Sequence, residues 1–416
     1  MSSAESPGAP SEEVRAVPGN SQDAAAGDGL LLRLVATGLR ELAETSIDSQ
    51  REDLRGLSRP SGAYSGPYPP KAQAAYNHVV LHCLATDVAP PRSLPDLVRW
   101  AARIPVGDWP LPLPDAAAGS PAFLVDDATR TPTLECLEWT VDGADPLARL
   151  HEAQLMTEVL HTCRRLRLQE TYEAFRRLVI EQPVLLASEH ARLGRDPDLA
   201  PLDQVPKQAY EPVPATRAVD GALPLCAGCG CVLHRVRGRW YCELDACRGR
   251  GPAVLGRALP LQGESALQVV RPLRTFVTGP GLAEISLLKA TRALGLKVEL
   301  WPGIDMYDLR ITLPDGQAWA IDVKDWSNPA LLGRWTSWPP QDAATVYDKA
   351  FIVVPRYRLE RDRDYRARYR RARRTTGQAE PPPLLSEDEL LKRLASFAAP
   401  SSGCAAPAVG QEDIDA

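Results

Sequence analysis

The chain has 416 residues, 44% of them hydrophobic, and a formal net charge of −5. That length suggests two or three domains with real cores, and the lack of any run of 18 apolar residues excludes a membrane-spanning helix. The charge is unevenly shared: residues 206–398 hold 29 Lys+Arg against 21 Asp+Glu, a balance of +8 against −13 elsewhere, so this half is the one fit to meet phosphate.

Residues 1–28 are rich in Ala, Ser, Pro, Gly and Glu and are expected to be disordered, as are residues 399–416. Residues 29–205 read as a mainly α region. A helical stripe begins at Leu30 and includes Leu31, Leu34, Val35, Leu39 and Leu42, and a Pro-rich middle holds Trp100, Trp109 and Trp139 as aromatic anchors. Residues 149–182 have the strongest helical spacing of this part, with Leu155, Val159, Cys163, Leu166 and Leu178 among the apolar positions, and Pro183 ends the run. A linker is expected over 206–221. No phosphate-binding glycine loop, Ser-His-Asp order or internal repeat stands out, and the scattered histidines read as surface or satisfied core residues.

Residues 222–251 contain five of the nine cysteines. Cys226-x2-Cys229 and Cys242-x4-Cys247 have the spacing of two knuckles gripping one tetrahedral zinc, and Arg239-Trp240-Tyr241 supplies the strand expected in a small zinc ribbon. Cys231 is left over and is a substitute for Cys229 if the knuckle winds differently; His234 is a weaker one. Disulfides are the alternative, but no signal peptide precedes the cluster and the other cysteines look unpaired, which fits a reducing cytoplasm. Four thiolates leave no open position on zinc, so the expected role is structural. The surrounding basic residues, Arg235, Arg237, Arg239, Arg248 and Arg250, either touch nucleic acid or brace the ribbon against the N-terminal region.

Residues 262–398 read as an α/β domain. Helical spacing runs from Gly281 to Leu294, closed by Gly295 as a left-handed cap, and a strand follows over 297–301. Leu309, Ile311 and Leu313 then alternate with polar residues, Trp319, Ile321 and Val323 form a second period-two run, and Pro314-Asp315-Gly316 suits a three-residue hairpin loop. That loop pairs Leu313 with Gln317 and hence Asp308 with Asp322, about 5 Å apart at Cβ on one side, with Lys324 two residues further on. Asp308, Asp322 and the main-chain carbonyl of Val323 offer hard oxygen ligands to Mg2+ or Mn2+, and Lys324 orients the attacking water or meets charge on phosphate. Asp305 is a rival for the first metal position. Glu284, near the start of the preceding helix, either helps order the metal's waters or simply favours the helix dipole. The plain alternative is an exposed hairpin carrying a surface salt bridge. Beyond it come a buried strand over 350–354, a long helix over 356–374 with ten arginines, a short strand, and a helix with a Ser386/Glu389 capping box. Arg356, Arg358, Arg366 and Arg370 are the candidate phosphate-tracking residues, the alternative being a solvated face paired with neighbouring acids, and Trp326, Trp335 and Trp338 lie in a loop where they either stack on splayed bases or pack on the sheet.

That element order, with Glu284, Asp308, Asp322 and Lys324, resembles the PD-(D/E)xK restriction-endonuclease fold. The departures are Tyr307 in place of the eponymous proline and aspartate at 322 where glutamate is commoner; neither removes a ligand type. The whole chain, a helical N-terminal region, a zinc ribbon and an Ile321-Asp322-Val323-Lys324-Asp325-Trp326 nuclease motif, resembles the restriction-endonuclease subunit of the three-gene bacterial conflict islands that also encode a pPIWI-RE protein and a DinG-type helicase. The resemblance implies a cytoplasmic endonuclease acting in anti-plasmid or anti-phage defence on DNA, an RNA–DNA hybrid or an R-loop. It also implies that residues 29–205 dock partners. Cutting both strands ordinarily requires two active sites, as in a homodimer. Competing readings are a catalytically inactive nucleic-acid-binding adaptor and a zinc-ribbon transcription regulator.

Overall fold

The computed structural model describes residues 29–55, 68–140, 153–236, 238–248, 252–375 and 382–397; the two expected tails, and Arg237 and Arg250 of the cysteine region, lie outside them. The N-terminal part is helical, with α1 (Leu30–Arg55), α2 (Pro70–Ala85), α3 (Leu94–Arg103), α4 (Leu134–Thr140), α5 (Ala153–Leu166) and α6 (Gln169–Glu181). Short strands β1 (Val184–Leu186) and β2 (Tyr210–Pro212) follow, then β3 (Ala222–Leu223), β4 (His234–Val236), β5 (Arg239–Tyr241), β6 (Leu259–Pro260) and β7 (Ala266–Val269). After α7 (Gly279–Ala293) come β8 (Lys297–Leu300), β9 (Leu309–Thr312), β10 (Ala318–Val323), α8 (Pro329–Trp335), β11 (Lys349–Val354), α9 (Arg356–Arg361), α10 (Tyr365–Thr375), β12 (Leu384–Ser386) and α11 (Glu387–Ala395).

The C-terminal region is built on a five-stranded sheet in the order β12–β11–β10–β9–β8. Strands β8, β9 and β10 run antiparallel, whereas β10, β11 and β12 are parallel. β11 is almost wholly apolar (Lys-Ala-Phe-Ile-Val-Val) because both its faces are covered. β10 is buried at every position except Asp322, which is half-buried. The hairpin is thus central to the sheet, which removes the reading of it as an exposed surface feature.

Two cores tie the helical part to the sheet. Tyr172, Phe175 and Val179 of α6 share one cluster with Val298, Ile311, Ile321 and Val353 of the sheet and Leu390 of α11. Each such side chain contributes roughly 1.5–3 kcal/mol by leaving water. A second cluster joins Leu32, Val79, Leu97 and Trp139 to Ala330 and Leu331 of α8 and Ala372 of α10. Buried Glu138 of α4 accepts the backbone N–H groups of Ser327 (2.7 Å) and Asn328 (2.8 Å), so the N-terminal region also caps the start of α8.

Three segments differ from expectation. Residues 206–221, expected as a linker, contain β2, whose pairing with β7 and the bond from Tyr210 Oη to the Gln182 carbonyl (2.9 Å) were hidden by flanking prolines. The single long helix over 356–374 is broken at Asp362, whose backbone turns extended (φ −123°, ψ 99°) and whose carboxylate accepts the N–H of Asp364. The expected loop after the hairpin holds α8, started by Asn328, whose side-chain oxygen accepts from Ala330 and Leu331.

Candidate active site

Asp308, Asp322 and Lys324 come together where β9 begins and β10 ends. The hairpin loop forms as its residues dictate: Gly316 is left-handed (φ +86°), and Leu313 N–H donates to the Gln317 carbonyl at 2.9 Å. The paired ladder ends at Leu309 and Ile321, and Asp308 N–H also turns to the Ile321 carbonyl, at 3.1 Å. Asp308 and Asp322 are the next residues on their strands beyond that last pair, and Lys324 Nζ donates to Asp322 Oδ1 at 2.8 Å. Val323 is adjacent: its N–H donates to Asp308 Oδ2 at 2.6 Å. Asp305, Asp308, Asp322, Lys324, Trp326 and Trp335 line a cleft of about 270 Å³.

Burial sets the electrostatics. Burial pushes Asp308 well above the ordinary carboxylate range, and the nearby charges of Glu284 and Asp322 push the same way. Burial alone would lower the Lys324 amine, but Asp322 and Asp308 outweigh it and hold the ammonium charged. Glu284 is buried as well and is raised by burial, against the pull of Arg176.

Glu284 belongs to the same polar cluster, but its oxygens are taken by another residue. Arg176 Nη2 lies 2.8 and 2.9 Å from its two oxygens, and Trp301 Nε1 donates to Oε2 at 2.6 Å. Arg176 also donates to Asp305 and to Tyr172 Oη, and its Nη2 lies 3.6 Å from Asp308 Oδ1. Arg176 was not anticipated from sequence. The usable signal was its position on the apolar stripe of α6, four residues after Tyr172 and three before Val179, where an arginine must find a buried acid.

The turn between β8 and β9 that delivers Asp305 and Asp308 is left-handed at Trp301 (φ +46°), Gly303 (+64°), Ile304 (+57°) and Asp305 (+66°). Three of these are not glycine, at a cost of order 1–3 kcal/mol each. The helical region holds the turn in place. Gln169 accepts from Ile304 N–H (2.8 Å) and donates to the Trp301 carbonyl (3.0 Å), and Arg164 donates to the Ile304 carbonyl (3.1 Å).

The arginines of 356–374 are not equivalent. Arg358 is a correction: its side chain is 3% exposed and ion-paired with Asp325 and Asp245, so it has no face for phosphate. Arg356 and Arg366 are more open but paired, with Glu360 and Asp388 and with Glu389 respectively, and Arg370 is exposed. Trp335 and Trp338 are 39% and 48% exposed, and Trp335 forms part of the cleft wall.

Cys226, Cys229, Cys242 and Cys247 lie with their sulfurs all within 4.8 Å of one another, and among the described residues they are the only such cluster of three or more metal-ligating side chains. Tetrahedral zinc with bonds of about 2.3 Å requires sulfurs about 3.8 Å apart, and Cys229 and Cys242 stand at 3.5 Å. The first knuckle is formed by Gly230 N–H donating to the Cys226 carbonyl, with Gly230 left-handed (φ +73°). Cys231 and His234 are outside the quartet. Among the described residues the carboxylates of the cleft form no such cluster.

A helical region joined through a cysteine cluster to an α/β region, with an acid–lysine cleft at a strand end, defines a modular class of protein, and both main modules have a counterpart. Residues 56–186 match the pPIWI_RE three-gene island domain Y, and residues 281–400 match the REase associating with pPIWI_RE. The chain belongs to the REase-like subunits of the pPIWI-RE islands. No curated protein and no solved structure matches it. Among the described residues no helix is long and apolar enough to cross a membrane.

Proposed function

We propose that the chain is a metal-dependent DNA endonuclease of PD-(D/E)xK type, an effector of defence against plasmids or phage that works with a pPIWI-RE protein and a DinG-type helicase. The observation carrying this reading is the convergence of Asp308, Asp322 and Lys324 in a cleft at the end of a buried hairpin, within the segment matched by a REase family. The residues fit a divalent cation. Glu284, Asp305, Asp308 and Asp322 outnumber Arg176 and Lys324 by two, and Asp308 is buried among like charges that a hard cation relieves. Asp308, Asp322 and the Val323 carbonyl would hold Mg2+ or Mn2+, which supplies an acidified water and charge neutralisation at phosphorus.

The chain's own residues position the substrate. Lys324, fixed by Asp322, meets charge developing on the phosphate or aligns the attacking water. Arg356, Arg366 and Arg370 offer cations to the backbone, and Trp335 a stacking surface. The cysteine quartet holds structural zinc, and residues 29–205 provide docking surface. Cleavage of both strands calls for a second copy of the chain.

The test is cleavage of supercoiled and branched DNA by purified protein in Mg2+ or Mn2+, beside Asp322→Ala and Lys324→Ala. Loss of roughly 10²–10³-fold in the Lys324 variant is expected, and equal cleavage by wild type and both variants refutes the assignment. A non-catalytic nucleic-acid-binding adaptor is the second reading, and one observation favours it: Arg176 already neutralises Glu284 and Asp305. An adaptor binds DNA with no Mg2+ site that depends on Asp308.

A further inference from the structure

The guanidinium of Arg176 stands where the carboxylates of the cleft converge, although it comes from α6, outside the segment matched by the REase family. It is held from several sides. Glu284 lies against Nη2, Asp305 and Tyr172 Oη against Nη1, and the Trp301 ring lies 4.5 Å from the guanidinium carbon. Arg176 Nε is buried without a hydrogen-bond partner, so the charge is satisfied only through its two terminal nitrogens. Glu284 spends its oxygens on Arg176 and on Trp301 Nε1, whereas Asp308 stands at the edge of this arrangement with Nη2 at 3.6 Å.

A fixed cation this close divides the acids into two sets. Two carboxylates bound to a guanidinium are poor ligands for a second cation, because the ion must displace charge-assisted bonds and face the guanidinium itself. Asp308, 3.6 Å from Nη2, and Asp322, held instead by Lys324, take no hydrogen bond from the guanidinium and keep their capacity for a metal.

We propose that Arg176 is a positioning residue that divides these carboxylates: it takes Glu284 and Asp305 as its own counter-ions and confines a divalent ion to Asp308 and Asp322, limiting the site to one moderately held ion. This rests on the reading of Asp308 and Asp322 as metal ligands. It also makes the site composite, since a residue of the helical region sets the ligand field of the α/β region.

The experiment is Mn2+ binding to the full-length chain, followed by the EPR signal of free Mn2+ and by calorimetry, with no nucleic acid present. Arg176→Met keeps the length of the side chain and removes its charge. It is expected to tighten Mn2+ binding at least tenfold and to admit a second ion, while Arg176→Lys keeps one ion. Because Arg176→Met leaves Glu284 buried and unpaired, Arg176→Met with Glu284→Gln is measured beside it. This pair restores the wild-type charge balance and is expected to retain the tighter binding without the second ion. Unchanged affinity and stoichiometry in the folded variants, with binding still lost in Asp322→Ala, overturns the role of Arg176 alone. Mn2+ binding that is equal in wild type and Asp322→Ala overturns the metal reading and this inference with it.

Discussion

Arg358 Nε donates to Asp325 Oδ1 at 2.7 Å, with the two side chains only 3% and 4% exposed, one residue beyond Lys324. The pair is one link in a longer chain of charges. Arg358 Nη1 reaches Asp245 Oδ2 at 3.0 Å, Asp245 pairs with Arg248, and Arg248 pairs with Asp126 of the helical region. Burial alone would raise Asp245, but Arg358 and Arg248 outweigh it and hold the carboxyl down to about 2. All three regions therefore meet, through ion pairs, behind the residue that carries the cleft lysine.

The same network separates two arginines that look alike in sequence. Arg358→Ala leaves Asp325 buried and unpaired and is expected to cost about 3–5 kcal/mol of stability. Arg370→Ala removes an exposed cation, and its expected effect on stability is within about 0.5 kcal/mol. If it tracks phosphate, DNA affinity falls and the salt dependence of binding flattens by about one unit of slope. Urea denaturation and DNA binding at several salt concentrations check both.

Metal analysis of the purified chain is expected to find one tightly held zinc, lost in Cys229→Ser and kept in Cys231→Ser. The reason is geometric: Cys231 is buried but its sulfur is not in the quartet. Removal of zinc by a chelator leaves four thiols crowded in a small cluster whose buried apolar members besides cysteine are Leu233 and Leu244. Protease sensitivity within 226–247 should follow. Zinc retention by Cys229→Ser would show that Cys231 takes its place.

Residues 262–398 expressed alone are expected to show no cooperative unfolding transition. Their sheet loses the cover of Tyr172, Phe175 and Val179, and the left-handed turn at 301–305 loses Gln169 and Arg164. Gln169→Ala in the full chain isolates the second effect. Loss of its two bonds to the turn should cost about 1–3 kcal/mol, measured by denaturation. A cooperative, soluble 262–398 fragment would show that the helices are dispensable to the sheet.

Much of the site was legible because its signals are local. The period-two runs, the Pro-Asp-Gly turn and Gly316 specify the hairpin register from Thr312–Ala318 to Leu309–Ile321, and Gly295 and Ser386 mark helix ends that the structure also has. The four cysteines are readable from spacing for the same reason. What escaped was decided by tertiary approach. Arg176 meets Glu284 across 108 residues of sequence, and α8 is only seven residues long, too short for periodicity to declare it. The arginine run was read as one helix, solvated or phosphate-tracking, and the buried Arg358 escaped because a buried ion pair and an exposed cation leave the same letter in the sequence.

His234 provides a pH test of the packing beside the cysteine cluster. Burial pushes its imidazole down to about 4, and Arg217 adds to the effect, against an ordinary value of 6.5. The folded chain therefore binds the neutral ring, whereas the unfolded chain takes up a proton below about 6.5. The sign follows from linkage: His234 contributes nothing adverse above 6.5, and stability falls as pH drops from 6.5 toward 4, by up to about 3 kcal/mol. Acid also acts on the neighbouring cysteine cluster, so the comparison must be with His234→Gln, which keeps that background and lacks the titration. The stability of wild type relative to this variant is expected to decline steadily between pH 7 and pH 4.5 in denaturant titrations. A difference that stays constant over that range would mean that the ring is as well hydrated in the folded chain as in the unfolded one.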